Sequence, residues 1–216
     1  MATIKSISRF WTENGAYPLG EHLVERASHW IRNRMLASKF GVKQINIGTE
    51  AYLRGICAIQ MGENFSAGHG LWMEAILRFN NQTFAPKLVI GRNVGISCWG
   101  HIAATHYVEI GDGVLMGSKV IITDHNHGEY SGPHSSPYIP PNLRPLSCDK
   151  QVIIGRNVWI GDGVAVTAGS SIGEGAVIGA NSVVKGYIPP FTIAAGAPAR
   201  PLKRYDFKVN AWVDIR

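Results

Sequence analysis

No stretch of this sequence carries the ~20 consecutive apolar residues that a membrane-spanning helix needs. Its first residues, MATIKSISRFWTENGAYPLG, hold no apolar core of the kind that directs export. Cysteine is scarce: Cys57, Cys98 and Cys148 are odd in number, far apart and never in a CxxC pair. That argues against a disulfide framework or a zinc knuckle, and a reducing cytoplasm is the expected compartment. Charge is thin, at 17% Asp, Glu, Lys and Arg against 45% hydrophobic residues, a globular balance rather than a disordered one. No basic run is interleaved with aromatics, so nucleic acid is not an expected partner. The formal net charge of +6 suits a phosphate-bearing cofactor or the anionic face of a membrane instead. The 216 residues allow one substantial domain and a small appendage.

What the sequence has in abundance is a beat of six. From Ile154, every sixth residue is a β-branched aliphatic: Ile154, Ile160, Val166, Ile172, Ile178, Val184. A second series, Val158, Val164, Ser170, Ala176 and Ser182, is small or β-branched, and glycine follows the aliphatic at Gly155, Gly161, Gly173 and Gly179. An α-helix does not repeat at six, and a lone strand alternates at two. The pattern predicts a parallel β-helix in which each step is one short strand and one sharp turn, with the aliphatics stacked inside. The glycines would let the backbone turn without a Cβ clash.

The beat predicts the organisation of the whole chain. Ile47, Leu53 and Ile59 keep step, and the phase then breaks from Gly62 to Lys87. It resumes with Ile90, Ile96 and Ile102, slips by two residues, and continues with Ile110, Met116 and Ile122. A loop follows over about 123–151, rich in proline, and the tail after Ile188 again has prolines that should stop strands. Residues after Tyr205 are expected to cover the end of the coil. The expected division is an N-terminal helical segment over 1–43, the β-helix over 44–188 and a short C-terminal segment over 189–216. In the first segment, Leu23, Ala27, Trp30, Ile31 and Met35 form a helical stripe, with Arg26, Arg32 and Arg34 largely off it. That stripe is expected to pack on the first coil or a neighbouring subunit; a second reading rests a basic amphipathic helix on a membrane surface.

Chemistry concentrates at Asp124-His125-Asn126-His127, directly after a coil strand. Histidine suits general-base work near neutral pH. Two histidines two apart share a face of an extended backbone and diverge in a turn. His101 and His106 form a second pair that a metal would need three or four ligands to complete. Cys148 lies near Arg144 and Lys150, but no Cys-His spacing supports a thiol nucleophile. Trp99 and Trp159 stand where small residues predominate, as corner packing or as flat walls for a ligand.

The segment WIGDGVAVTAGSSIGEGAVIGANSVVKGYIPPFTIAAGAPARPLKR resembles the signature of the hexapeptide-repeat acyltransferases. The likeness spans roughly residues 88–204. It is close to the maltose and galactoside O-acetyltransferases, and HIAATHYVEIGDGVLMGSKVIITDHNHG followed by RPL resembles the O-acetyltransferases of O-antigen and exopolysaccharide assembly more closely still. The resemblance implies an all-β, left-handed parallel β-helix, an exception to the right-handed crossover rule. It also implies a homotrimer with sites between adjacent coils, acetyl-CoA as acyl donor, a carbohydrate acceptor and no metal. A gapless count from Val120 carries the family's catalytic histidine to His127; a shorter turn carries it to His125. The resemblance implies cofactor contacts at Trp159, Ala180, Lys185, Gly186, Arg200 and Lys203. The acceptor would lie near Trp99 or His101, with Asp124 and Asn126 beside the histidines.

Two departures matter. Residues 1–40 do not look like the methionine-rich, acidic start of the maltose type, which argues against a simple free sugar as acceptor, and Tyr187 replaces the usual acidic residue before Ile-Pro. The reading is an O-acetyltransferase of surface polysaccharide acting by direct transfer in the cytoplasm, with peripheral membrane association. The rivals are N-acetylation of an amino sugar, a γ-type carbonic anhydrase using His101 and His106 with a third histidine, and a trimeric scaffold without catalysis.

Overall fold

Stacking of the inward aliphatics builds the molecule. The computed structural model describes residues 19–130 and 135–215, with helix side chains from residue 26 onward. Residues 1–18, the side chain of Leu23 and loop residues 131–134 lie outside the described residues. The chain winds as a left-handed parallel β-helix whose three faces are three sheets. One face stacks Ile47, Ala67, Ile96, Met116, Ile160, Ile178 and Ala194 in register. The second stacks Leu53, Met73, Ile102, Ile122, Val166 and Val184. The third stacks Met61, Ile90, Ile110, Ile154, Ile172 and Ile188. Apart from Leu53, which is partly buried, these side chains are buried, and they form one continuous core. Full burial of such a side chain is worth ~1.5–3 kcal/mol.

The six-residue glycines serve close approach. A Cβ on Gly155 would stand 2.6 Å from the Glu174 backbone nitrogen, and one on Gly161 2.7 Å from that of Ala180. Neither has a positive φ; the left-handed corners fall two residues later, at Asn157 and Gly163. The expected turning role therefore belongs to those corners, and the glycines after the aliphatics let successive coils touch.

The sequence pattern departs from the structure at four places. Met61, not Ile59, occupies the register of Ile90, because the short 3₁₀ turn Ile56–Ala58 adds two residues to that step. The expected break over 62–87 is mostly coil: Phe65–Ala67 and Trp72–Ala75 are parallel strands, with Ala67 and Met73 at the aliphatic positions. The true insertion is a small antiparallel ladder, Arg78–Phe79 with Gln82–Thr83. The tail prolines interrupt strands without ending the ladder: Tyr187–Ile188 stops before Pro189-Pro190 and Thr192–Gly196 before Pro198, while Pro201 lies inside Ala199–Asp206. Thr192–Gly196 continues the first face past residue 188, and Ala199–Asp206 and Ala211–Asp214 fold back on it antiparallel.

The fourth departure is the N-terminal helix, Leu19–Phe40. Its expected apolar stripe faces outward: Trp30 is 63%, Ile31 52% and Met35 68% exposed. The buried side carries His29, Arg32, Asn33, Leu36, Ala37 and Phe40 instead. The reason lies in the open edge of the first strand, Ile45–Ile47, whose backbone groups need partners. Asn33 accepts the Ile47 N–H (3.0 Å) and donates to its carbonyl (3.3 Å). His29 lies 2.6 Å from the same carbonyl, and Arg32 donates to the carbonyls of Ile47 and Gly48. Hydrogen bonding to the edge outweighs the apolar pattern in deciding which side turns inward.

Candidate active site

The two-residue slip between Ile102 and Ile110 falls at the corner Thr105-His106, and it shapes the site. There the backbone N–H groups of Thr105, His106 and Tyr107 converge on the carboxylate of Asp124 at 2.7–3.0 Å, and the Thr105 hydroxyl adds a fourth donor at 2.9 Å. Asp124 is 1% exposed. Burial alone would raise its carboxyl; hydrogen bonds from His125, Thr105 and His106 outweigh that and hold it below the usual carboxylate range. An ionised Asp124 then faces Nδ1 of His125 at 3.0 Å. A carboxylate only accepts, so Nδ1 carries the proton and Nε2 is left with its lone pair. His125 is fixed in ring orientation and tautomer by this contact.

His127 sits differently. It belongs to a two-residue strand, Asn126–His127, paired antiparallel with Leu146–Ser147 inside the loop. Its ring meets Phe79 edge-on at 5.2 Å, and its carbonyl accepts the Tyr130 hydroxyl at 2.7 Å. The Asn126 N–H donates to Ser147 Oγ at 3.2 Å. The described part of the loop is thus tied down. The Gln82 amide brackets Leu146 (2.6 and 3.1 Å), and buried Arg144 binds the Ile139 carbonyl and the Tyr130 hydroxyl, each at 2.8 Å.

His101 lies on the second face, in register with Trp72 on one side and Ile121 on the other. Its ring is 5.3 Å from Trp72, which in turn stands 4.9 Å from Tyr52. Burial pushes the His101 imidazole below its ordinary value; Glu74 opposes this and His125 adds to it. His101, Glu74 and His125 therefore share one electrostatic neighbourhood. Sequence reasoning singled out His101 but not Thr105, Glu74, Trp72 or Tyr52. The slip at Thr105-His106 was the available signal for the first, and the register of the apparent break for the others.

The remaining expected residues are spread over the prism. Trp99 occupies a left-handed corner, its ring against Gly70, where a Cβ would come within 2.2 Å, and edge-on to His69 at 4.6 Å. Of its two readings, corner packing is the one with contacts. Trp159 points out from the first face, 55% exposed, in a row that runs through Val177 and Ile193 to Lys203. Lys203 pairs with Asp214 at 3.4 Å, and Arg200 extends from the same strand. Ala180 lies at the corner after the first face. Lys185 and Gly186 lie at the corner after the second, two coils beyond His125. His106 is exposed and parted from His101, and among the described residues no three His, Cys, Asp or Glu side chains form a metal-binding group.

Residues 151–186 match the family model for the bacterial transferase hexapeptide (six repeats). The chain is 44% identical over 163 residues to the protein named as lipopolysaccharide biosynthesis O-acetyl transferase WbbJ of Escherichia coli (strain K12), covering 74% of this chain and 79% of that one. Galactoside O-acetyltransferase of the same strain is 32% identical over 138 residues, 64% of this chain and 63% of its own. Among solved structures, a maltose O-acetyltransferase from Clostridium difficile 630 superposes with a TM-score of 0.51 at 26% identity, over 82% of this chain and 88% of that one. A variant of AntD, an N-acyltransferase from Bacillus cereus solved with dTDP-4-amino-4,6-dideoxyglucose and coenzyme A, gives a TM-score of 0.63 at 21% identity over 82% and 91%, a likeness of fold.

Proposed function

Since the chain belongs to the hexapeptide-repeat transferase family, we propose that it moves an acetyl group from acetyl-CoA to a hydroxyl of a carbohydrate in surface-polysaccharide assembly, with His125 as the general base. The observation that carries this reading is the Asp124–His125 pair, 3.0 Å apart, with the carboxylate buried and the imidazole 10% exposed. The acceptor oxygen gives its proton to Nε2 of His125 and bonds to the acetyl carbonyl carbon. The C–S bond then breaks, and the proton passes from His125 to the departing sulfur. No bond to the protein forms, so Cys148 is a bystander. The outward row Tyr52, Trp72, His101 leads to the base and supplies flat walls for an acceptor.

The expected cofactor residues support a shared site. In one chain they occupy the first face and two different corners, while His125 lies beside the second face. A threefold arrangement of parallel prisms brings one chain's first face towards the next chain's second. The homotrimer is part of the proposal on that ground. The compartment we assign is the cytoplasm, as a reducing medium keeps Cys57, Cys98 and Cys148 as the free thiols they are.

Kinetics of two variants test the base. His125→Ala should lose ~10²–10⁴-fold in transfer while light scattering still reports a trimer, and His127→Ala should stay within a few-fold of wild type. An active His125→Ala, or a dead His127→Ala that still folds, would move the base to His127, the choice of the gapless count. A monomer by light scattering would remove the shared site.

A further inference from the structure

Residues 26–46 hold Arg26, Arg32, Arg34, Lys39 and Lys43 and not one Asp or Glu, so this segment alone carries +5 against the chain's formal +6. It is also where the helix turns Trp30, Ile31 and Met35 outward, 63%, 52% and 68% exposed, because its polar side is committed to the edge of the first coil. Between helix and coil runs a cleft of about 690 Å³ lined by Arg26, Trp30, Arg34, Lys43 and Asn46. The Arg34 guanidinium lies 5.9 Å from the Trp30 ring centre. Among the described residues, Glu63 touches this rim: its carboxylate accepts the Lys43 backbone N–H at 2.9 Å.

We infer that this end of the molecule docks on an anionic phospholipid bilayer, with Trp30, Ile31 and Met35 entering the interface and Arg26, Arg34 and Lys43 meeting headgroup phosphates. The inference stands on residues 26–46 and goes beyond the acyl-transfer reading. An aromatic ring flanked by aliphatic and long basic side chains is the composition that binds at a charged lipid surface. Ile31 and Met35 stand outside the cleft, and apolar side chains that protrude in this way fit a fluid partner better than one needing shape complementarity. A second copy is disfavoured by charge, since two such patches would repel. In the proposed trimer, parallel prisms put all three helices at one end, and three weak contacts act together.

Co-sedimentation of the purified protein with vesicles tests this. Binding is expected to phosphatidylcholine mixed with phosphatidylglycerol and not to phosphatidylcholine alone, and it should weaken as salt is raised. Arg26→Gln with Arg34→Gln should lower the affinity roughly 30-fold, and Ile31→Asp should abolish it, both with unchanged melting and unchanged transfer to a soluble acceptor. Quenching of tryptophan emission by brominated lipid should be lost in Trp30→Phe. Equal binding to neutral and anionic vesicles, no binding to either, or binding indifferent to Ile31→Asp would overturn the inference. So would light scattering in which Ile31→Asp dissolves a larger assembly, since the face would then join copies of this chain. If vesicle binding fails while His125→Ala is inactive, docking alone falls.

Discussion

A carboxylate almost without solvent contact accepts from five donors at Asp124, and the surroundings of His101 and His125 are set by where it stands. The lowered Asp124 pKa means that its stabilisation is complete above the ordinary value of 3.8 and is lost only as pH falls through the lower folded value. His101 acts at milder acidity. Burial holds its pKa below the ordinary 6.5 despite Glu74. Above 6.5 the imidazole is neutral whether folded or not. Below that, the unfolded chain takes up the proton first and stability declines until the folded value is reached. The urea midpoint should therefore fall as pH is lowered from about 7 to about 5, and His101→Gln should flatten the fall. A slope indifferent to that substitution would show that another group titrates. The DHNH cluster was legible in the sequence, but the choice within it was not. What separates His125 from His127 is the carboxylate of Asp124, which a corner 19 positions earlier in the chain holds in place, and spacing within the cluster carries no trace of that hold.

At the scale of elements, the strands with β-branched aliphatics were legible and those without were not. Ala67 and Met73 hold the same inward register as Ile96 and Ile102, yet they break the visible pattern because a core position accepts any apolar side chain whose neighbours fill the remaining volume. The helix was legible in place, but its apolar stripe does not pack on the first coil, because a hydrophobic stripe is a weaker instruction than an unpaired strand edge. Asn33 makes this measurable. It is buried and serves both backbone groups of Ile47, so Asn33→Ala leaves an N–H without its partner. The expected loss is about 1–3 kcal/mol in urea unfolding. A loss near zero would mean that water or Arg32 satisfies the edge, and that Asn33 is not what orients the helix.

At the scale of the whole molecule, the prism is a repeat without an internal reason to stop. Each coil offers the next a set of parallel strands about 4.8 Å away. The ends are where length is decided. At one end the Asn33 amide sits on Ile47, and a helix lies across the place where another coil would add. At the other, Ala199–Asp206 and Ala211–Asp214 reverse direction and spoil the parallel template on one face, while Val183–Val184 and Tyr187–Ile188 are the last described strands of the other two. A helix in that place would keep one molecule from seeding a polymer of its own kind. A chain shortened to begin at residue 44 should keep its stacked aliphatics while losing Ala37 from the core, expose Ile45–Ile47 as a template, and assemble end to end into filaments visible by electron microscopy, where the unshortened chain is expected as discrete particles. If the shortened chain stays discrete at high concentration, the stop lies in the folded-back tail.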